Sequence, residues 1–452
     1  MDTQEKRQKR RKMNKKPIVI GAGLAGVEAA WQLARAGYEV DLYEMRPIKM
    51  TPAHKTSKYA ELVCSNSLKA MRTESAAGML KEEMRMFSSL CMECADKSRV
   101  PAGGALAVDR EKFSQLITEK IENEPLINVI HEEVTEIPDG DVVIVAAGPL
   151  ASDALAEDIR KKFGNSLSFF DAAAPIVSGD SIDMNSAFCQ SRYDRGGEDD
   201  YINCPMNKQE YEDFYSELIN AQRAELHEFE KNKKVYEGCM PIEIMATRGP
   251  DTMRFGPMKP VGLIDPHTSH RPWAVLQLRK ENVAASAYNL VGFQTNLKFS
   301  EQKRVFSLIP ALKNAEFLRY GVMHRNTFLN SPEILNSDFS VKERKGLFFA
   351  GQITGVEGYM ESASSGIMAG FNAVRLLKNK ESLVLPPESM IGALSRYISN
   401  EAIENFQPMG ANFGVLPPLD EKIRDKKLRY SALAQRGLEK VRKIIEEIKT
   451  EG

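Results

Sequence analysis

The chain has 452 residues, enough for two or three ordinary domains, and its 42% hydrophobic and 27% charged residues exclude disordered, collagen-like and coiled-coil classes. The 61 Lys plus Arg balance 62 Asp plus Glu, so no global positive charge draws the chain to nucleic acid or to a membrane. Any site for a polyanion has to be a local patch. Six cysteines in so long a chain do not make a disulfide framework, and they read as reduced thiols of a cytoplasmic protein.

At the N-terminus, the basic run Lys6 to Lys16 ahead of Ile18-Val19-Ile20 imitates a signal peptide, but Glu28 and Gln32 interrupt the apolar region it would need. The longest apolar stretch elsewhere, Val142 to Ala147, is far below the roughly 20 residues of a spanning helix. The expectation is a cytoplasmic chain with no membrane contact, whose residues 1–16 are a basic solvated tail and in which Met13 is an alternative start.

Pro17 opens a short buried strand, Ile18 to Ile20, followed by glycines and then Val27, Ala30, Trp31 and Ala34 at helical spacing, stopped by Gly37. A second strand, Tyr38 to Tyr43, ends at Glu44, which completes a strand, turn, helix, strand unit of the parallel kind. Short apolar runs at Ile127 to Ile130 and Val142 to Ala147 can join the same sheet. Between Val177 and Arg319 the texture changes to Gly- and Pro-punctuated strands such as Trp273 to Leu278 and Tyr288 to Phe293, with one helix near Lys208 to Gln222. The buried-strand pattern returns at Leu347 to Ala350, followed by a small-residue helix from about Ser362 to Leu377; Asp420 to Thr450 reads as a surface helix. The fold expected is α/β: a Rossmann-like domain made of residues 17–176 and 320–452, carrying an α+β insertion of residues 177–319.

Gly21-Ala22-Gly23-Leu24-Ala25-Gly26 matches the dinucleotide fingerprint in the right context, after a strand and opening a helix. The first glycine makes the tight turn, the second lets backbone approach a pyrophosphate, and the third lets helix and strand pack closely. Glu44, at the end of the next strand, is placed to accept hydrogen bonds from ribose hydroxyls. Far along the chain a second glycine-rich strand-to-helix junction, Gly351-Gln352 with Gly355 and Gly358, favours FAD over NAD, because a two-segment flavin fold uses such a junction near the flavin ring. Cys64, in Glu61-Leu62-Val63-Cys64-Ser65-Asn66-Ser67, stands before a helix-like stretch whose N-terminus would make it thiolate-rich, and Cys239 lies in a loop-like segment. Cys91 and Cys94 share an apolar helical stripe with Leu80, Met84 and Phe87, which makes that pair core; no second CxxC or histidine pair completes a zinc site, and no metal is expected. Arg46, Lys49, Lys55, Lys58, Lys69 and Arg72 form a basic stretch around Cys64 that suits either RNA phosphates or a solvated face.

The segments GAGLAGVEAA at Gly21, YEMRP at Tyr43, ELVCSNSL at Glu61, PAGGALAVDR at Pro101, EGCMPIE at Glu237, YGVMHRNTF at Tyr320 and GLFFAGQITGVEGY at Gly346 together resemble the bacterial folate- and FAD-dependent tRNA uracil-5-methyltransferase family, over Pro17 to at least Gly414. That resemblance implies transfer of a one-carbon unit from 5,10-methylenetetrahydrofolate to carbon 5 of the T-loop uridine of tRNA, with FAD reduced by NADPH or NADH. It implies that Cys64 and Cys239 are the nucleophile and the proton-transfer partner, in either order, and that no obligate protein partner is needed. Alternatives are the same chemistry on a ribosomal RNA uridine, a GidA-like or small-molecule flavin oxidoreductase, and an S-adenosylmethionine enzyme; the last gives the junction at Gly351 no role.

Overall fold

The computed structural model describes residues 16–51, 53–164, 167–194, 197, 200–224, 240–404 and 406–450. The expected basic tail falls outside them except for Lys16, whose ammonium pairs with Glu39 at 2.7 Å.

The first glycine unit is built from strand β1 (Ile18–Ile20), helix α1 (Leu24–Arg35) and strand β2 (Val40–Glu44). Helix α1 forms because Val27, Ala30, Leu33 and Ala34 fall on one buried stripe, and Gly37, at φ +86°, turns the chain out of it. The second strand starts at Val40, two residues later than its apolar run suggests, because Gly37 and Tyr38 serve the turn. Strands β3 (Ile127–His131), β4 (Val143–Val145), β5 (Ser340–Val341) and β6 (Arg344–Phe349) complete a six-stranded sheet in the order β5-β6-β4-β1-β2-β3. All neighbours in it are parallel except the β5-β6 pair. Register sets Val19 beside Leu42 on one side and Ile144 on the other, and Phe348 beside Ile144, so early and late parts of the chain share one sheet.

The small-residue helix α2 (Tyr359–Leu377) packs on α1 with the backbones nearly touching: a Cβ at Gly366 would lie 2.1 Å from the Ala25 carbonyl oxygen, and one at Gly370 would lie 2.7 Å from that of Ala29. It begins three residues before the expected Ser362, which puts Tyr359 and Glu361 in its first turn. The long terminal helix starts at Lys426 and is more than a surface feature: Leu433, Ala434, Leu438 and Val441 are buried, and Gly437 sits against Met79.

A second, wholly antiparallel sheet takes its six strands from Ile176–Ser178, Phe188–Cys189, Tyr201–Met206, Ala274–Lys280, Ala287–Leu290 and Phe317–Arg319. Its core is its own, with Phe214 stacked on Phe293 and Phe306 edge-on to Phe293, while residues before Leu167 and after Met323 fill the other main core. The expected α/β architecture with a Rossmann-like parallel sheet is what the chain adopts.

Cys91 and Cys94 are buried in the first core, on the helix Leu90–Lys97. The buried carboxyl group of Glu28 receives the N–H groups of Leu90 and Cys91 at that helix's start. None of the described cysteines is in a disulfide, and among the described residues no group of three or more His, Cys, Asp or Glu could hold a metal ion.

Candidate functional site

The reversal of strand order between β1 and β4 leaves a crevice at the carboxyl ends of the parallel strands, the usual ligand position in such sheets. It is an open cleft of about 1020 Å³. Gly21, Gly23, Leu24, Ala25, Glu44, Gly351 and Gln352 all line it, so the two remote glycine junctions meet there; Ala22 and Gly26 are buried and do not line it. Each glycine of the first turn has a different reason to be glycine. Gly21 has φ +99°, and a Cβ there would meet the Ala146 carbonyl oxygen at 2.7 Å. A Cβ at Gly26 would be 1.7 Å from the Gly21 carbonyl oxygen, whereas one at Gly23 would meet nothing within 4 Å. That open space beside Gly23 is what a phosphate needs in order to approach the backbone, and the first turn of α1 faces the same place.

Glu44 is 5% exposed at this cleft. Burial alone would raise its carboxyl, but Arg46 and the backbone N–H groups of Arg46 and Ala22 hold it below the usual carboxylate range. Its Oε1 accepts from Arg46 Nε at 2.8 Å, and its Oε2 accepts from Ala22 N at 2.9 Å. Arg46 also reaches Glu61, at 3.4 Å, and is 2% exposed. Arg46 is therefore an internal strut, and the expectation that it grips RNA phosphate is corrected: its charge is spent on two carboxylates. Lys49 pairs with Glu133 at 2.8 Å and Lys69 with Glu361 at 2.6 Å.

A second open cavity, of about 1150 Å³, adjoins the first. Val63, Pro149, Leu150, Gln352 and Tyr359 border both, and Cys64 and Gly358 line the second. The expected helix after Cys64 is absent. Ser67–Ala70 is instead a strand paired antiparallel to Ala105–Val108, with Leu68 buried, because this short run is better satisfied by a sheet partner than by a helical turn. No helix N-terminus follows directly on Cys64.

Arginines take that place. Arg319 Nη2 donates to the Val63 carbonyl at 2.7 Å, Arg279 Nη2 to Ser65 Oγ at 2.7 Å, and Arg110 Nη1 to the Leu62 carbonyl. Buried Asn66 gives its Nδ2 to the carbonyls of Val108 and Lys280, both at 2.9 Å, and takes Arg279 Nε on Oδ1 at 2.9 Å. The Cys64 and Ser65 N–H groups both donate to the Tyr359 hydroxyl, at 2.7 and 3.3 Å. Burial pushes the Tyr359 phenol up, which keeps it neutral. Burial lowers Arg279 and Arg319; it acts the same way on Arg110, but there Glu281, Tyr359 and Cys64 together outweigh it and raise the guanidinium. The cysteine loop is thus clamped by cations from both sheets' neighbourhoods, the electropositive setting in which thiols react.

The family model described as Glucose inhibited division protein A matches residues 16–381. A protein of Listeria innocua serovar 6a named methylenetetrahydrofolate-tRNA-(uracil-5-)-methyltransferase TrmFO is 57% identical over 437 residues, covering 96% of this chain and 100% of the relative. A protein of the same name from Pelotomaculum thermopropionicum is 58% identical over 424 residues, covering 94% of this chain and 97% of the relative. The chain belongs to the TrmFO family. Among solved structures, Aquifex aeolicus GidA shares the fold with a TM-score of 0.67 at 17% identity, covering 96% of this chain and 76% of that one.

Of the residues singled out in this TrmFO-family chain, Cys239 lies outside the described residues. Those that sequence reasoning missed are Tyr359, Arg110, Arg279 and Arg319, together with His54, which lines the first cleft with its Nδ1 2.6 Å from Thr51 Oγ1. Tyr359 closes the quoted motif GLFFAGQITGVEGY, and its position in that motif was the available signal.

Proposed function

We propose that the chain methylates carbon 5 of the T-loop uridine of tRNA, taking the carbon from 5,10-methylenetetrahydrofolate and using FAD reduced by NADPH or NADH. The observation that carries this reading is the shared wall: two glycine junctions from opposite parts of the chain line one cleft, and Val63 and Tyr359 separate it from the cavity that holds Cys64. The open space at Gly23 fits a pyrophosphate, so the turn Gly21 to Gly26 would hold the FAD phosphates, Glu44 would face the ribose, and Gly351, Gln352 and Gly358 would border the flavin end. Bound FAD supplies the electrons that convert a methylene into a methyl group.

The chain's own residues then have distinct tasks. Uracil carbon 5 becomes nucleophilic only after a thiolate adds to carbon 6, and proton removal from carbon 5 must follow. Cys64 and Cys239 are the two thiols proposed for these steps. Arg110, Arg279, Arg319 and Tyr359 hold the Cys64 loop in place. The target base has to leave its stack to reach the cavity, as for other enzymes that act on a base.

The test is transfer of isotope from the methylene of the folate into T-loop 5-methyluridine. The label is expected in tRNA with the wild-type protein and absent with Cys64→Ala, which should still retain its flavin. Label arriving from S-adenosylmethionine, or full activity in Cys64→Ala, would overturn the reading.

A further inference from the structure

Three aromatic rings form a ladder at the edge of the second sheet. Phe317 and Tyr320 stack with ring centres 5.3 Å apart and planes 5° off parallel, and Tyr320 stacks on Phe299 at 4.9 Å and 13°. Phe299, which opens the helix Phe299–Phe306, is 54% exposed. Tyr320 covers one face of that ring.

Chain neighbours of the ladder reach the wall of the Cys64 cavity. Arg319, between Phe317 and Tyr320 in the chain, reaches the Val63 carbonyl beside Cys64 at 2.7 Å. Gly321, directly after Tyr320, packs so closely that a Cβ there would meet both the Ala173 carbonyl oxygen and Thr295 Cγ2 at 2.6 Å, and Ala173 lines the cavity. Exposed Lys298 precedes Phe299, and exposed Lys303 follows it at i+4, on the same helix face. The nearby acid Glu301 is engaged by Arg304 at 2.8 Å.

A parallel ring stack with an exposed end and lysines beside it has the chemistry that single-stranded RNA meets on proteins: bases stack on aromatic faces while cations take the phosphates. We propose that the ladder of Phe299, Tyr320 and Phe317 is a base-stacking platform, and that Phe299 receives an unstacked base neighbouring the one drawn into the Cys64 cavity. This rests on the tRNA reading above and extends it to a docking surface for the RNA loop.

The experiment measures binding of a T-arm RNA hairpin to the flavin-loaded protein by fluorescence anisotropy. Stacking on one aromatic ring is worth a factor of about 5 to 150 in affinity. Phe299→Ala is therefore expected to bind at least about fivefold more weakly and Phe299→Trp about as well as wild type, with flavin absorbance and melting temperature unchanged in both. Equal affinity in Phe299→Ala would overturn the platform. So would a drop in sedimentation coefficient in that variant, which would show the ring covered by a second copy of the chain. A wild-type protein that binds no hairpin would remove the tRNA reading itself, and the platform with it.

Discussion

The two adjoining cavities are built by opposite means. The dinucleotide cleft is a product of backbone: a strand, a tight turn and a helix that are contiguous in the chain, met by a second such junction. The Cys64 cavity is a product of side chains brought from far away; the Cys64 N–H and the Tyr359 hydroxyl are separated by 295 residues of sequence. Where backbone shape makes the site, glycine is the residue that matters, and adding one carbon is the sensitive change. Where side chains make the site, removing one clamp leaves the fold standing and loosens only the Cys64 loop.

The largest effect should come from Gly26→Val, which drives atoms into the Gly21 carbonyl. Overpacking costs about 1 to 3 kcal/mol and occasionally more, and a contact this short belongs at the upper end, so the purified variant should melt well below wild type and carry no flavin. Gly23→Ala is its partner: with open space around the new methyl, the apoprotein should melt within about 0.5 kcal/mol of wild type, yet bind flavin more weakly. If both variants behaved alike, the two glycines would not divide labour between packing and ligand.

Next comes Arg319→Met, which releases the Val63 carbonyl at the shared wall while leaving both glycine junctions of the dinucleotide cleft in place. A misplaced reactive group costs about 100-fold in rate; kcat for methylation should fall by that order with flavin content unchanged. Loss of flavin in this variant would show that the two cavities are not independent.

The last contrast concerns stability against pH. Burial pushes the Glu28 carboxyl up to about 7 and that of Glu83 up to about 8, despite the N–H groups each receives at a helix start. Both hold a proton in the folded chain that the unfolded chain releases near the ordinary value of 4.5. Their contribution is full below that value and is lost as pH rises through about 7 and about 8. The slope reaches about 1.4 kcal/mol per pH unit for each group. Melting temperature should therefore fall between those limits, and Glu83→Gln should flatten its share of the slope; an unchanged slope would show Glu83 ionised throughout.

Legibility followed the same division. The parallel unit at Ile18 to Glu44, the return of the sheet at Leu347 and the meeting of Gly21 with Gly351 were readable, because periodicity and glycine spacing are local properties. The strand after Cys64 was not, since Ser67 to Ala70 is decided by a partner at Ala105 to Val108 that no local pattern announces. Arg279 and Arg319 sit in a sheet whose texture gave no hint that it serves the cysteine loop. Arg46 looked like a surface cation because its neighbours are basic, while its buried acids Glu44 and Glu61 decide its place.

The parallel sheet also carries a consequence for synthesis. Strand β4 ends at Val145, and the neighbour that covers its outer edge, β6, ends at Phe349, 204 residues later. At about 5 to 20 residues per second the ribosome takes about 10 to 40 seconds to deliver that neighbour. Through this interval the nascent chain presents a bare row of backbone donors and acceptors of the kind that recruits stray strands. Any insertion that lengthens the intervening antiparallel region would prolong that hazard in proportion.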